Sequence, residues 1–386
     1  MPKDVVAAPR LLLLTFSESA GTILLERGAY FFTHEVLQFS QARNLWLALA
    51  FGAAYAAGAA CSHAASDRVG ERRLLISLMG CLLIAHGTLA ALPEQVPLLW
   101  AMFPAIGFVR GMQWPIVESY VAAGSSPEQV LRVLGRFNVS WALAVPLAMA
   151  ASGPLIESGW PALLYAVAGA LTLPGLLLVS GLPPAPAHAS PGEPLSTGVH
   201  VRRDAALLIC ARFTMLGSYS LMFLVAPLMP GIFESVGFEL RLATVAASLL
   251  DWVRVATFAI LGYFAGWRGR PWPLVAALLG VGVGAWLLLV SPHAAGVLAG
   301  EVLFGVASAL SFYAAIYYAM VLGNAAVGAG GAHESLIGVG FFLGPAAGLL
   351  GQLLPFRPSA ASFVAIAPFL ILCAVAAGRA LVRGWR

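Results

Sequence analysis

The sequence predicts an all-α integral membrane protein: twelve transmembrane helices in two pseudo-symmetric six-helix bundles. Three observations carry that expectation. Hydrophobic residues make up 60% of the 386-residue chain and charged residues only 10%, where a soluble domain has about a quarter charged. The apolar residues fall into twelve long runs, each able to cross a bilayer at about 20 residues per crossing. The basic residues gather at alternate turns between the runs, the asymmetry that sets orientation in a membrane. The formal net charge of +4 therefore reports topology, and no nucleic-acid partner is expected.

In chain order the runs are 10–36, 44–66, 73–92, 96–122, 131–157, 160–180, 205–233, 240–266, 272–291, 294–320, 333–354 and 359–382. With the N-terminus in the cytoplasm, fourteen basic residues fall inside: Lys3, Arg10, Arg68, Arg72, Arg73, Arg132, Arg136, Arg202, Arg203, Arg268, Arg270, Arg379, Arg383 and Arg386. Only Arg43, Arg241 and Arg357 fall outside, so both termini are expected to be cytoplasmic. Lys3 is the single lysine, and alanine and glycine abound. That bias suggests a GC-rich bacterial genome and hence the bacterial inner membrane. The first run carries Glu18, Glu26 and Arg27, which is wrong for the core of a signal peptide.

Between the sixth and seventh runs lies a stretch rich in proline and small polar residues, with Pro183, Pro184, Pro186, Pro191 and Pro194. It predicts an extended cytoplasmic linker over 181–204, separating a bundle at 1–180 from one at 205–386. The four cysteines, Cys61, Cys81, Cys210 and Cys373, have no CxxC spacing and read as small packing residues. No metal cluster, phosphate-binding glycine loop or nucleophile triad is present, so neither a cofactor nor an enzymatic activity is expected.

Cys61 to Arg73, CSHAASDRVGERR, joins the second and third runs. Asp67, Arg68, Gly70 and Arg72 form its core, and Gly70 allows a sharp reversal because it can take positive φ. The stretch resembles the G-x-x-x-D-R-x-G-R-R loop of the major facilitator superfamily, with His63 at the first glycine and Glu71 after the second. Arg268-Gly269-Arg270, after the eighth run, is the echo of this loop in the second half, without the aspartate. The resemblance implies secondary transport by alternating access, in which the second helix packs on the eleventh and the fifth on the eighth.

Small residues four apart support close packing between helices. Ala144, Ala148 and Ser152 mark the fifth run, and Ala48, Gly52, Ala56 and Ala60 the second. Gly340, Gly344 and Gly348, with Pro345, mark the eleventh. These glycines and the loop residues are the candidate gating positions. On the fifth run only Gly153-Pro154 survives of the antiporter pattern G-x-x-x-G-P-x-x-G-G.

Ionisable residues in a spanning helix cost about 2.5–3.5 kcal/mol each on insertion scales, so they mark function. Asp251 and Arg254 share a helix face one turn apart. Arg110 and Gln113 resemble the superfamily's R-x-x-Q-G motif, with Trp114 in place of the glycine. The expectation is that Arg110 faces the central cavity; Glu118 or backbone carbonyls would otherwise satisfy it. Glu26, Arg27 and Tyr30 resemble part of the E-x-x-E-R motif of proton-coupled oligopeptide transporters, with Ile23 at the first glutamate. Those transporters also place an acid where Glu301 lies. Arg212 on the seventh run completes the candidate set for substrate binding and proton coupling. Asp251 is the first choice for the coupling acid and Glu26 the second. Glu334 opens the eleventh run, where it suits the positive end of the helix dipole.

The expected function is alternating-access transport of a small polar, anionic or zwitterionic solute, driven by protons, by a monomer in the bilayer. Proton-driven multidrug efflux is the alternative reading. A transport-dead receptor or scaffold, with every buried charge paired and no cavity, is the reading of another class.

Overall fold

Helices account for the secondary structure of the computed structural model, which describes residues 7–122, 127–186, 199–322 and 327–385, and no strand occurs among the described residues. Chain order gives twelve long helical elements. They are α1 (7–35), α2 (Gln41–Val69), α3 (Glu71–Ala91), α4 (Val96–Ala122), α5 (Pro127–Glu157), α6 (Leu163–Ser180), α7 (199–235), α8 (Leu240–Tyr263), α9 (Trp272–Val290), α10 (Ala294–Leu322), α11 (Val327–Gly351) and α12 (Pro358–Trp385). Ten are long and apolar enough to cross a membrane. α1 and α4 fall outside that set. The apolar length of α1 is interrupted, and α4 carries Arg110, Gln113 and Glu118.

Three helices are broken in ways their sequences explain or exploit. A π-helical turn, Leu24–Gly28, divides α1; such widened turns gather at functional sites. A 3₁₀ turn at Ala226–Leu228 interrupts α7 beside Pro227 and Pro230, whose rings cannot supply the regular ladder. α8 is interrupted between Leu240–Ala247 and Leu249–Tyr263 at Ser248, so Asp251 lies in the first turn of the second segment. An acid is favoured at that end of a helix dipole.

Most helices run beyond the apolar runs, because polar terminal turns continue the same backbone ladder into the interfaces. The turns at Gly70 and Gly269 both need glycine, with φ of +87° and +69°. We call the side of the bundle that carries them the Gly70 end and the opposite side the Glu94 end. The stretch at 181–204 is not one extended connection. Arg72 donates to the Leu182 carbonyl at 2.9 Å, Tyr120 donates to the Pro183 carbonyl at 2.9 Å, and α7 already begins at Val199. Residues 187–198 of that stretch, Lys3 and Arg386 lie outside the described residues, as does the side chain of Arg132.

Packing follows two sets. α1 lies on α5 and α6, α2 on α4, and α3 on α6; α7 lies on α10, α11 and α12, and α9 on α10. Between the sets, α2 packs on α11 and α5 on α8. Gly52 makes the first crossing close, since a Cβ there would run into the Phe341 backbone. Gly153 does the same for the second, against Thr244 and Arg241. Gly340 and Gly344 face α7 of their own set instead, where a Cβ on Gly344 would meet the Ser220 carbonyl. Of that stripe only Gly348 meets the other set, at Leu45. Pro345 is buried beside them.

Candidate functional site

A central cavity of about 130 Å³ lies between the two sets. α1 supplies Glu26 and Arg27, α2 Tyr55, α4 Glu118, α8 Arg254 and α11 Glu334; aromatic rings from α4, α5, α7, α10 and α11 complete the wall.

The π turn in α1 places the adjacent Glu26 and Arg27 on the same wall. Arg27 crosses to the other set, where its Nη1 donates to Asp251 Oδ2 and its Nη2 to the Ala247 carbonyl at 3.3 Å. The break after Ala247 presents that carbonyl. Arg254, one turn beyond Asp251, donates from Nη1 to Asp251 Oδ1 at 3.1 Å and from Nη2 to the Tyr219 hydroxyl at 3.1 Å. One carboxylate therefore bridges two guanidiniums, one from each set. Asp251 is 1% exposed and lies behind the wall, while both arginines line it.

Arg254 is also held by rings. Its guanidinium carbon lies 5.3 Å from the Trp141 centroid, 5.9 Å from Tyr219 and 5.7 Å from Phe258, within range of cation–π attraction. Its Nε has no hydrogen-bond partner among the described residues. One donor of the fork is thus uncommitted in a wall of aromatic faces.

The structure separates Arg110 from this cavity, against the expectation. Arg110 is wholly buried within the first set, and its Nη1 donates to Glu18 Oε2 and, at 2.9 Å, to Gln113 Oε1. Gln113 closes the triangle onto Glu18 at 3.0 Å. The reason is helical phase. Glu118 is eight residues further along α4, about 12 Å up the axis and turned by about 80°, so it faces the cavity while Arg110 faces α1.

The remaining candidates scatter. Tyr30 is buried against Phe103, away from the wall. Glu301 is fully buried on α10 near Arg27 and Asp251, and neither carboxylate oxygen has a well-formed hydrogen bond among the described residues. Arg212 is part-buried on α7, near the Gly70 end and His333. Asp67 and Arg68 are exposed, and among the described residues Asp67 pairs with His63, 3.6 Å away. Cys61 and Cys81 are exposed, and Cys210 and Cys373 are buried.

Sequence reasoning did not select Glu18, Tyr55, Tyr219, Trp141 or the pairing of Glu118 with Glu334 as site features. Tyr55 donates to Glu334 Oε2 at 2.7 Å, and Glu118 lies near Glu334 on the same wall. Glu18 and Glu118 were legible as charges within apolar runs; their partners were not.

At the Glu94 end the sets are tied by two contacts. His34 meets Glu234 at 3.1 Å, and Arg241 meets Glu157 at 3.2 Å, with the Arg241 backbone N–H also donating to that carboxylate.

This arrangement, two helix sets around a charged central cavity, is that of a secondary transporter. Residues 27–345 match the Major Facilitator Superfamily, and the chain belongs to that family. The chain is 28% identical over 257 residues to the Bacillus subtilis protein named "Putative niacin/nicotinamide transporter NiaP", a match covering 62% of this chain and 62% of that protein's length. Among solved structures, the nucleoside transporter NupG superposes with a TM-score of 0.68 at 14% identity, covering 98% of both chains. A bacterial homologue of the human lysosomal transporter Spinster, inward-facing and unoccupied, gives 0.68 at 13% identity, covering 100% of this chain and 97% of that one. At such identities these likenesses establish the fold.

Proposed function

We propose that the protein carries a small planar acid, or its zwitterionic or amide relatives, across the bacterial inner membrane by proton-coupled alternating access. The observation that carries this reading is Arg254. Its guanidinium is fixed by Asp251 and Tyr219, flanked by Trp141 and Phe258, and belongs to the cavity wall. Such a charge attracts a carboxylate, and a ring beside it packs on the aromatic faces. Glu26 on the same wall suits the cationic group of a zwitterion. The relative named as a niacin/nicotinamide transporter supports the same chemistry, because niacin is a pyridine carboxylic acid.

The positive-inside count puts the Gly70 end in the cytoplasm, with both termini. The contacts His34–Glu234 and Glu157–Arg241 then close the outer end. Bundles at 1–180 and 205–386, joined through 181–204, would rock about the α2–α11 and α5–α8 crossings. The receptor or scaffold reading requires no cavity and fully paired charges. The cavity and the unsatisfied oxygens of Glu301 and Glu118 favour transport.

Uptake of labelled nicotinate and nicotinamide into vesicles with an imposed pH gradient tests the proposal. Accumulation of the acid above its outside concentration, collapsed by a protonophore, is the expected result. Proton-driven extrusion of cationic dyes, with no movement of either pyridine, would instead establish the multidrug efflux alternative.

A further inference from the structure

Besides Glu26, the charged residues in and just behind the cavity wall fall into two groups. Arg27, Asp251 and Arg254 pair opposite charges on the side nearer the Glu94 end. Toward the Gly70 end the wall carries two acids from different sets, Glu118 near the end of α4 and Glu334 near the start of α11. The two carboxyl groups lie near each other, and Tyr55 of α2 donates to Glu334 Oε2 at 2.7 Å. Glu118 and Glu334 are 6% and 5% exposed, and Glu118 Oε2 has no donor among the described residues. Two ionised carboxylates are acceptors only and repel each other, and a proton on one turns that repulsion into a hydrogen bond. Like charges brought that close do not both ionise.

We propose that Glu118 and Glu334 form a shared-proton site that is loaded when the Gly70 ends of the two helix sets meet and emptied when they part. The inference rests on the proton-coupled reading above and names the acids that carry the proton. In the closed pair one proton is held between the two carboxyls. When α4 and α11 separate, water reaches both groups, the proton leaves to that water, and two carboxylates remain. Reclosing takes one proton back, from the cavity once it has opened toward the other side. No other atom changes hands.

Among the described residues the pair has no charged partner of its own. Facing it from α2 is only Tyr55; from α7, Tyr219; and from α4 itself, Trp114. α5 and α10 contribute Phe137, Trp141 and Phe312. Glu26 and Arg27 of α1 and Arg254 of α8 lie on the same wall, Arg27 and Arg254 being engaged with Asp251. His333, next to Glu334, is buried with both ring nitrogens unpartnered among the described residues, and it packs on Phe312 near Arg212.

The closed form binds one proton more than the open form, so rising pH must favour opening at the Gly70 end. A single linked proton changes the open-to-closed ratio by at most about tenfold per pH unit. Spin labels at Ala64→Cys and Arg270→Cys, both exposed and one on each set, report that ratio in a chain without its native cysteines. The expected result in lipid nanodiscs, with no solute present, is growth of the long-distance population as pH is raised. Glu118→Gln with Glu334→Gln should remove the response, because two amides hydrogen-bond without a titrating proton. Distances in the parent chain that do not move with pH would overturn the proposal. So would a response of undiminished size in the double variant. Neither readout depends on which solute is carried, so a wrong substrate class leaves this test standing.

Discussion

Asp251→Asn isolates the charge that holds the two helix sets together in mid-membrane. Asp251 accepts from Arg27 of α1 through Oδ2 and from Arg254 through Oδ1, the latter at 3.1 Å. The second contact lies within α8 and persists however the sets move. Only the first spans them, so only it biases the conformational equilibrium. A hydrogen bond to a charged group contributes about 1.5–3 kcal/mol, and 1.4 kcal/mol is a factor of about ten. Replacing the carboxylate by an amide of the same shape should therefore shift the ratio of separated to closed forms at the Glu94 end by about 10- to 100-fold. The assay is electron–electron double resonance between labels at Glu94→Cys and His293→Cys. Both sites are exposed, in the α3–α4 and α9–α10 turns at that end. Arg27→Gln, which also removes the bond to the Ala247 carbonyl, should produce at least the same displacement, and Arg254→Gln a smaller one. Unchanged distances in Asp251→Asn would refute the argument that this pair latches the sets. On the coupling expectation read from the sequence, the same variant should also lose accumulation driven by a pH gradient while retaining solute exchange. Retention of normal gradient-driven accumulation would remove Asp251 from the coupling step and leave it a structural latch.

Three further outcomes follow from the packing. Glu18→Gln should destabilise the protein by about 3–5 kcal/mol, because it leaves Arg110 buried without its anion; thermal unfolding in detergent should show recovery when Arg110→Met is added. Gly52→Val should block transport while the protein still inserts and folds, since it wedges the α2–α11 crossing, whereas Gly344→Leu should lower stability by separating α7 from α11 within one set; comparing uptake with yield of monodisperse protein distinguishes the two, and an active Gly52→Val would show that this crossing tolerates spreading. Cysteines introduced at Pro184 and Gln95 should label from opposite sides of the membrane, Pro184 from the cytoplasm, and labelling of both from outside would invert the orientation.

The all-helical membrane character and the twelve elements were legible in the chain itself, because hydropathy and element length are one-dimensional properties. So were the reversals at Gly70 and Gly269, where local backbone chemistry suffices. The buried charges were visible too, since any charge within an apolar run stands out. Their partners were not, because partnership depends on rotation about each helix axis and on which helix lies opposite. Arg110 and Glu118 share one helix and lie eight residues apart, yet one pairs with Glu18 inside the first set and the other meets Glu334 across the cavity. The π turn at Leu24–Gly28 and the interruption before Asp251 decide that Arg27 can reach across at all. Neither has a residue signature strong enough to read from sequence. The glycine stripe of α11 shows the same division. Its spacing announces a close helix contact, but only the packed bundle determines that Gly344 faces α7 while Gly52 of α2 receives Phe341.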